Sequence, residues 1–217
     1  MTGDTPRAGL TAPDGTPGRT RFGDPLRALA VLAIDVADGL AVEIAAYADA
    51  ALQTLKCGGK ILFCGNGGSA ADAQHLAAEY VVRMSTERRP LPAVALTTDT
   101  SVLTACANDL GYDEVFARQV EALGSRGDML VLHSTSGNSP NLVRASRKAA
   151  AMGVRTVGVL ARGGGALRRL VDIALVVPTD SVSRAQEIQL AIGHIVCGHV
   201  EESLFDEPAL TPAGGPE

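Results

Sequence analysis

The chain has 217 residues, of which 46% are hydrophobic and 20% charged, and its formal net charge is −5. The length suits one α/β domain with a sizeable core, and the composition is ordinary for a globular protein. No long basic run is present, which argues against a nucleic-acid partner or a broad membrane surface, so an anionic ligand would need local donors. The four cysteines form no CxxC pair, which favours buried thiols and a cytoplasmic location.

The chain begins with residues 1–24, which are rich in Pro, Gly and Thr and lack an apolar signal-peptide core; we predict a disordered tail. Residues from about 26 to 56 are rich in Ala and Leu at helical spacing, and Gly39 predicts either a division into two helices or a bend. We expect one domain over 25–206, followed by a Pro- and Gly-rich flexible tail over 207–217.

Strands and helices alternate through the rest of the chain. Apolar runs predict strands at 60–65, 92–97, 128–133, 155–161 and 172–178. Helical patterns follow at 69–84, 100–108, 112–123, 139–151, 166–171 and 183–204. Ser69 is suited to cap the first of these helices, and Pro140 suits the first turn of the fourth. The order predicts an α/β fold, a doubly wound five-stranded parallel sheet flanked by helices, with extra N-terminal helices.

Two polar loops follow strands of this sheet, at the end where doubly wound folds bind ligands. Asn66 to Ser69 (NGGS) follow the first strand, and Ser134 to Ser139 (STSGNS) follow the third. Small residues and hydroxyls before a helix suit phosphate or sugar oxygens, and the alternative for each loop alone is a tight turn with a helix cap. Neither loop matches the P-loop or the dinucleotide fingerprint, which argues against a nucleotide site.

His75 and Glu79 lie four residues apart on the helix after the first loop, so they share one face. An imidazole and a carboxylate at this spacing can bind one divalent metal ion. A capping or solvated His–Glu pair is the alternative that the two residues alone leave open.

The segments CGNGGSAADAQH and STSGNS, with RAQEI in the last helix, resemble the sugar isomerase (SIS) family and within it the phosphoheptose isomerases, over roughly residues 40–205. The resemblance implies the flavodoxin-like SIS fold and a homotetramer with sites at subunit interfaces. It also implies isomerisation of sedoheptulose 7-phosphate to D-glycero-D-manno-heptose 7-phosphate through an enediol, the first step of nucleotide-activated heptose biosynthesis.

The resemblance also implies site residues. His75, Glu79, Gln186 and His194 would surround one zinc ion per subunit, with Glu79 as the base and His194 as the acid or its partner. Gln186 and His194 are separated by about 12 Å of helix rise, so both reach one metal only if they lean inward or belong to different subunits. Substrate binding is therefore the alternative role of Gln186. The implied substrate contacts are Asn66, Gly67, Gly68, Ser69, Glu79, Arg83, Asn108, Asp109, Ser134, Thr135, Ser136, Ser139 and Gln186. For Arg83 the alternatives are a pair with Glu79 or a surface salt bridge.

Several positions depart from the family pattern. His133 stands where relatives usually carry an apolar residue, which indicates either a buried, hydrogen-bonded histidine or an altered pocket. Gln189 stands where many relatives carry histidine, and Ser183 where some carry aspartate. The competing hypotheses are a SIS protein-binding factor of the replication-initiator-binding type and an isomerase or sensor of another sugar phosphate. The presence of His75, Glu79 and His194 favours an enzyme.

Overall fold

The computed structural model describes residues 17–205. It opens with two helices, α1 (Pro17–Gly39) and α2 (Ala41–Lys56), so the predicted division at Gly39 is confirmed. Helix α1 begins inside the segment predicted as a tail, which places the start of regular structure earlier than expected. Residues 1–16 and the predicted C-terminal tail at 207–217 lie outside the described residues.

The centre of the fold is a parallel sheet in the order β2-β1-β3-β4-β5. Its strands are β1 (Ile61–Gly65), β2 (Ala93–Ala95), β3 (Met129–Ser134), β4 (Arg155–Ala161) and β5 (Ile173–Val177). Strands β1 and β3 are buried along their whole length, as expected for a sheet that helices cover on both faces. The predicted fold class is confirmed.

Helices cover the sheet as two layers. The remaining helices are α3 (Gly68–Val81), α4 (Thr100–Asp109), α5 (Val115–Leu123), α6 (Pro140–Met152) and α7 (Val182–Phe205). Alternate strand residues explain the layers: Phe63 and Val131 pack with α2, α3 and α7, whereas Leu62 and Leu130 pack with α5 and α6. In the described part of the chain, no helix combines the length and the apolar content needed to cross a bilayer.

One predicted helix is wrong. Residues 166–171 form only a 3-10 turn, Leu167–Arg169, which follows another at Arg162–Gly164. The N–H of Leu167 donates to the Gly137 carbonyl (3.0 Å), and the N–H of Ala166 donates to Asn138 Oδ1 (2.9 Å). These bonds tie the segment to the loop after β3, and the chain enters β5 at Ile173 without room for further helical turns.

The strand order places the two polar loops side by side. Gly65 at the end of β1 is paired with His133 near the end of β3. The connection from β1 leads to one face of the sheet and the connection from β3 to the other, because α3 and α6 belong to opposite layers. This is the switch point at which doubly wound sheets form a ligand crevice.

Candidate active site

The loop after β1 turns sharply into α3. Its N-cap is Gly67, with a φ of 57°, and Ser69 lies inside the first turn, so the predicted cap at Ser69 is wrong. A Cβ at Gly65 would lie 2.5 Å from the Ser69 carbonyl oxygen, so the strand end and the helix start are in close contact. The left-handed conformation at Gly67 allows the helix to begin within this short distance.

The loop after β3 is held in shape by its own hydroxyls. Ser134 Oγ accepts a hydrogen bond from the N–H of Gly137 (3.0 Å), and Ser136 Oγ accepts one from the N–H of Asn138 (3.2 Å). A serine hydroxyl that accepts a bond still has its own proton to donate. The loop therefore presents neutral donors in a fixed arrangement.

These two loops and the start of α7 enclose a cavity of about 210 Å³. It is lined by Asn66, Ser69, His133, Ser134, Thr135, Ser136, Ser139, Leu142, Val182 and Gln186. A Cβ at Gly68 would lie 2.5 Å from Gln186 Nε2, so α3 approaches this side chain closely only because residue 68 is glycine. A larger cleft, about 670 Å³, lies beside β5 and includes Arg162 and Asp180, but none of the predicted site residues lines it.

His75, Glu79 and His194 come together further along α3 and α7. Their ligand atoms all lie within 4.8 Å of one another. His75 Nε2 is 2.8 Å from His194 Nε2 and 3.4 Å from Glu79 Oε1. Ligand atoms around a tetrahedral zinc ion lie roughly 3.3 Å apart, given bonds of about 2.0 Å. The three side chains therefore fit a zinc ion after a small separation of the two imidazoles.

Gln186 is not part of this cluster of three side chains. Its amide packs over Gly68 and lines the cavity. The structure thus places Gln186 beside the hydroxyl loop and His194 with His75 and Glu79. This arrangement favours the substrate-binding alternative for Gln186.

Arg83, Asn108 and Asp109 are all exposed and lie outside the cavity lining. Arg83 forms a surface salt bridge with Glu87 (3.0 Å), which is one of the alternatives that the spacing left open. Asn108 Nδ2 donates to Asp109 Oδ1 (2.7 Å) at the end of α4.

His133 is 1% exposed, and neither ring nitrogen has a hydrogen-bond partner among the described residues. Its burial agrees with the first of the two alternatives, but the hydrogen bond that this alternative requires is not found among the described residues. Burial lowers the pKa of its imidazole to about 4, so the ring is neutral at physiological pH. Gln189 is also fully buried; its Nε2 donates to the carbonyl of Val159, the β4 partner of His133.

A side-chain network that the sequence did not predict holds Asn66. Its amide exchanges two hydrogen bonds with Asn141 (3.0 and 2.9 Å), and Tyr112 OH donates to Asn66 Oδ1 (3.0 Å). Asn141 directly follows Pro140 at the start of α6. Its position next to the loop after β3 could have indicated that it lies near the site. Tyr112 gave no such signal, because it lies after α4 and 46 residues from Asn66 in the sequence.

Comparison with known proteins shows the family to which the chain belongs. The SIS domain family model matches residues 26–161. A phosphoheptose isomerase from Burkholderia pseudomallei is 52% identical over 176 residues, covering 81% of this chain and 89% of that protein. The chain belongs to the phosphoheptose isomerase family of SIS-domain proteins.

Other members of the phosphoheptose isomerase family are similarly close. The Roseiflexus protein of that name is 54% identical over 164 residues, covering 76% of this chain and 83% of its own length. The solved phosphoheptose isomerase from Neisseria gonorrhoeae has a TM-score of 0.81 and 40% identity, covering 85% of this chain and 98% of that one. The fold of the whole relative, and not the sheet alone, therefore recurs here.

Proposed function

We propose that this protein is an aldose–ketose isomerase that converts sedoheptulose 7-phosphate to D-glycero-D-manno-heptose 7-phosphate, the first step of nucleotide-activated heptose biosynthesis. The observation that carries the proposal is the meeting of His75, Glu79 and His194 on the two helices that also border the hydroxyl-lined cavity. High identity to several phosphoheptose isomerases supports the same substrate.

The cavity is the proposed phosphate site. The loop after β3 contributes four hydroxyl residues to its lining, Ser134, Thr135, Ser136 and Ser139, and such neutral donors suit phosphate oxygens. The sugar would be contacted from the opposite side by Asn66, Gly67, Gly68, Ser69 and Gln186. Arg83, Asn108 and Asp109, which lie outside the cavity lining, would contact the outer part of the substrate. From Gln186 to His194 the helix rises about 12 Å, which leaves room for the carbon chain between the phosphate and the reacting carbons.

His75, Glu79 and His194 would hold one zinc ion per subunit. The family resemblance also implies Gln186 as a ligand, but we assign Gln186 to substrate binding because its amide packs over Gly68 and lines the cavity. A bound zinc ion would polarise the substrate carbonyl and stabilise negative charge on its oxygen. The proton transfers belong to the side chains. Glu79 takes the proton from C1 and returns it to C2, and His194 moves the hydroxyl proton. Glu79 Oε1 lies 3.4 Å from His75 Nε2. A carboxylate that held the metal through one oxygen would keep its other oxygen to take the proton.

We further propose a cytoplasmic homotetramer. Apolar side chains are exposed along the first two helices, namely Leu26 (66%), Val31 (59%), Ile34 (61%) and Val42 (79%). A stripe of this kind suits packing against helices of other subunits. Light scattering after gel filtration should give four times the mass of one chain, and a monomer would contradict the proposal.

The experiment that tests the function follows sedoheptulose 7-phosphate by NMR in D₂O. Deuterium incorporation and an aldoheptose 7-phosphate product are expected from the wild type, and chelation should abolish both until Zn²⁺ is restored. Glu79→Gln should bind the sugar phosphate without turning it over, because the amide cannot accept the C1 proton. Binding without exchange in the wild type would indicate a SIS binding protein, and exchange of a different ketose phosphate would change the substrate.

A further inference from the structure

The metal-binding cluster depends on the spacing between two helices. His75 and Glu79 lie on α3 and His194 lies on α7, and the two imidazoles are 2.8 Å apart. Gly193 and Leu76, the neighbours of the two histidines, form one fixed contact: a Cβ at Gly193 would lie 2.5 Å from Leu76 Cδ2. At the level of the histidines, α7 thus packs directly on the Leu76 side chain, with no space for a Cβ at position 193.

A second contact joins the same helices beyond the cluster. Glu201 of α7 is 1% exposed, and its carboxylate accepts five hydrogen bonds from the segment after α3. The donors are the N–H of Met84 (3.0 Å), the N–H and Oγ of Ser85 (3.0 and 2.9 Å), the N–H of Thr86 (3.2 Å) and Nε of Arg88 (2.7 Å). Burial opposes ionisation, but these bonds outweigh it and lower the pKa of Glu201 to about 2.

Arg88 connects this carboxylate to the end of α3. Its side chain is fully buried, and Nη2 donates to the carbonyl of Glu79 (2.8 Å) while Nη1 donates to the carbonyl of Tyr80 (3.0 Å). Helix α3 ends at Val81, so these carbonyls belong to its last turn, which lacks helical partners. A guanidinium at this position satisfies them and complements the negative end of the helix dipole.

We propose that the Arg88–Glu201 pair is a positioning device for the metal-binding cluster, holding the backbone of Glu79 at a fixed distance from α7. The pair lies two helical turns beyond His194, so with the Gly193 contact it fixes both the spacing and the relative rotation of the helices. Stability alone does not require it, since apolar residues of similar volume often replace buried ion pairs without loss. The inference rests on the proposed function, because it assumes that His75, Glu79 and His194 bind a metal ion.

The test compares stability with metal binding. Glu201→Gln and Arg88→Lys each alter one partner, and the double variant Arg88→Met/Glu201→Leu removes both charges in case a single variant fails to fold. The matched control is Asp128→Asn. Asp128 is a buried carboxylate (3% exposed) directly before β3, at the amino ends of the strands and away from the crevice. It accepts bonds from Lys60 and from the N–H of Ser125.

Zn²⁺ affinity is measured by competition with a chromophoric chelator, and ligand geometry by the absorption spectrum of bound Co²⁺. The folded double variant should bind Zn²⁺ roughly 10- to 100-fold more weakly, with an altered Co²⁺ spectrum. Arg88→Lys should recover part of the affinity, and Asp128→Asn should lose thermal stability but keep wild-type metal binding.

Wild-type Zn²⁺ affinity and Co²⁺ spectrum in the double variant would overturn the positioning role and leave the proposed function intact. A wild-type protein that binds neither ion would refute the metal site and the positioning role together.

Discussion

Replacing His133 should change how the stability of the protein depends on pH. The imidazole is 1% exposed and burial lowers its pKa to about 4, whereas an unfolded histidine titrates near pH 6.5. Between these two values the unfolded chain binds a proton that the folded chain does not bind. Stability therefore falls as the pH falls through this window, by about 3 kcal/mol in total.

His133→Leu removes this contribution because leucine does not titrate. At neutral pH the variant should be at least as stable as the wild type, since it also removes two buried nitrogens that have no hydrogen-bond partner among the described residues. Such groups cost roughly 1–3 kcal/mol each. The assay is urea unfolding of the metal-free protein at pH 7.5 and 4.5 and at one protein concentration. The loss of stability between the two values should be smaller in the variant by most of those 3 kcal/mol.

His199→Leu is the matched control, because His199 is exposed on α7, where its Nε2 lies 3.5 Å from Ser203 Oγ. It should leave the pH dependence of the wild type unchanged. The reasoning would be refuted if His133→Leu lost as much stability on acidification as the wild type does.

Three further substitutions test the site. Gly68→Ala should displace the Gln186 amide, 2.5 Å from the new Cβ, and raise KM several-fold with little change in Tm, because only a flexible side-chain end must move. Ser136→Ala should weaken sugar-phosphate binding, measured by calorimetry, by about 1–2 kcal/mol for one hydrogen bond to a charged group; unchanged affinity would place the phosphate elsewhere. Gly193→Ala should cost about 1–3 kcal/mol in urea unfolding through overpacking against the buried Leu76, and should also lower Zn²⁺ affinity; a wild-type affinity would show that the helix spacing tolerates a methyl group.

Local patterns were enough to predict most of the fold. The apolar runs at β1 and β3 and the helical periodicity of α3 and α7 come from residues close in sequence, so the layers and the crevice followed from them. The proximity of His75 and Glu79 could also be predicted, because a spacing of four residues puts two side chains on one face of a helix.

What the sequence could not supply were contacts between distant residues. His194 meets His75 across 119 positions, and without the family resemblance its role had no local signature. Glu201 is typical of a solvated helix residue until the segment after α3 is seen to surround it. The expected cap at Ser69 was wrong because the contact between Gly65 and the helix start determines where α3 begins.

The order of these elements along the chain has a consequence for biosynthesis. The two polar loops, His75 and Glu79 all precede β4 in the chain. Gln186, His194 and Glu201 lie on α7, the last helix. A growing polypeptide can therefore complete its sheet while one wall of the crevice and one ligand of the cluster are still being translated. A nascent chain released before α7 would lack His194 and Gln186. Such truncated translation products would therefore be inactive.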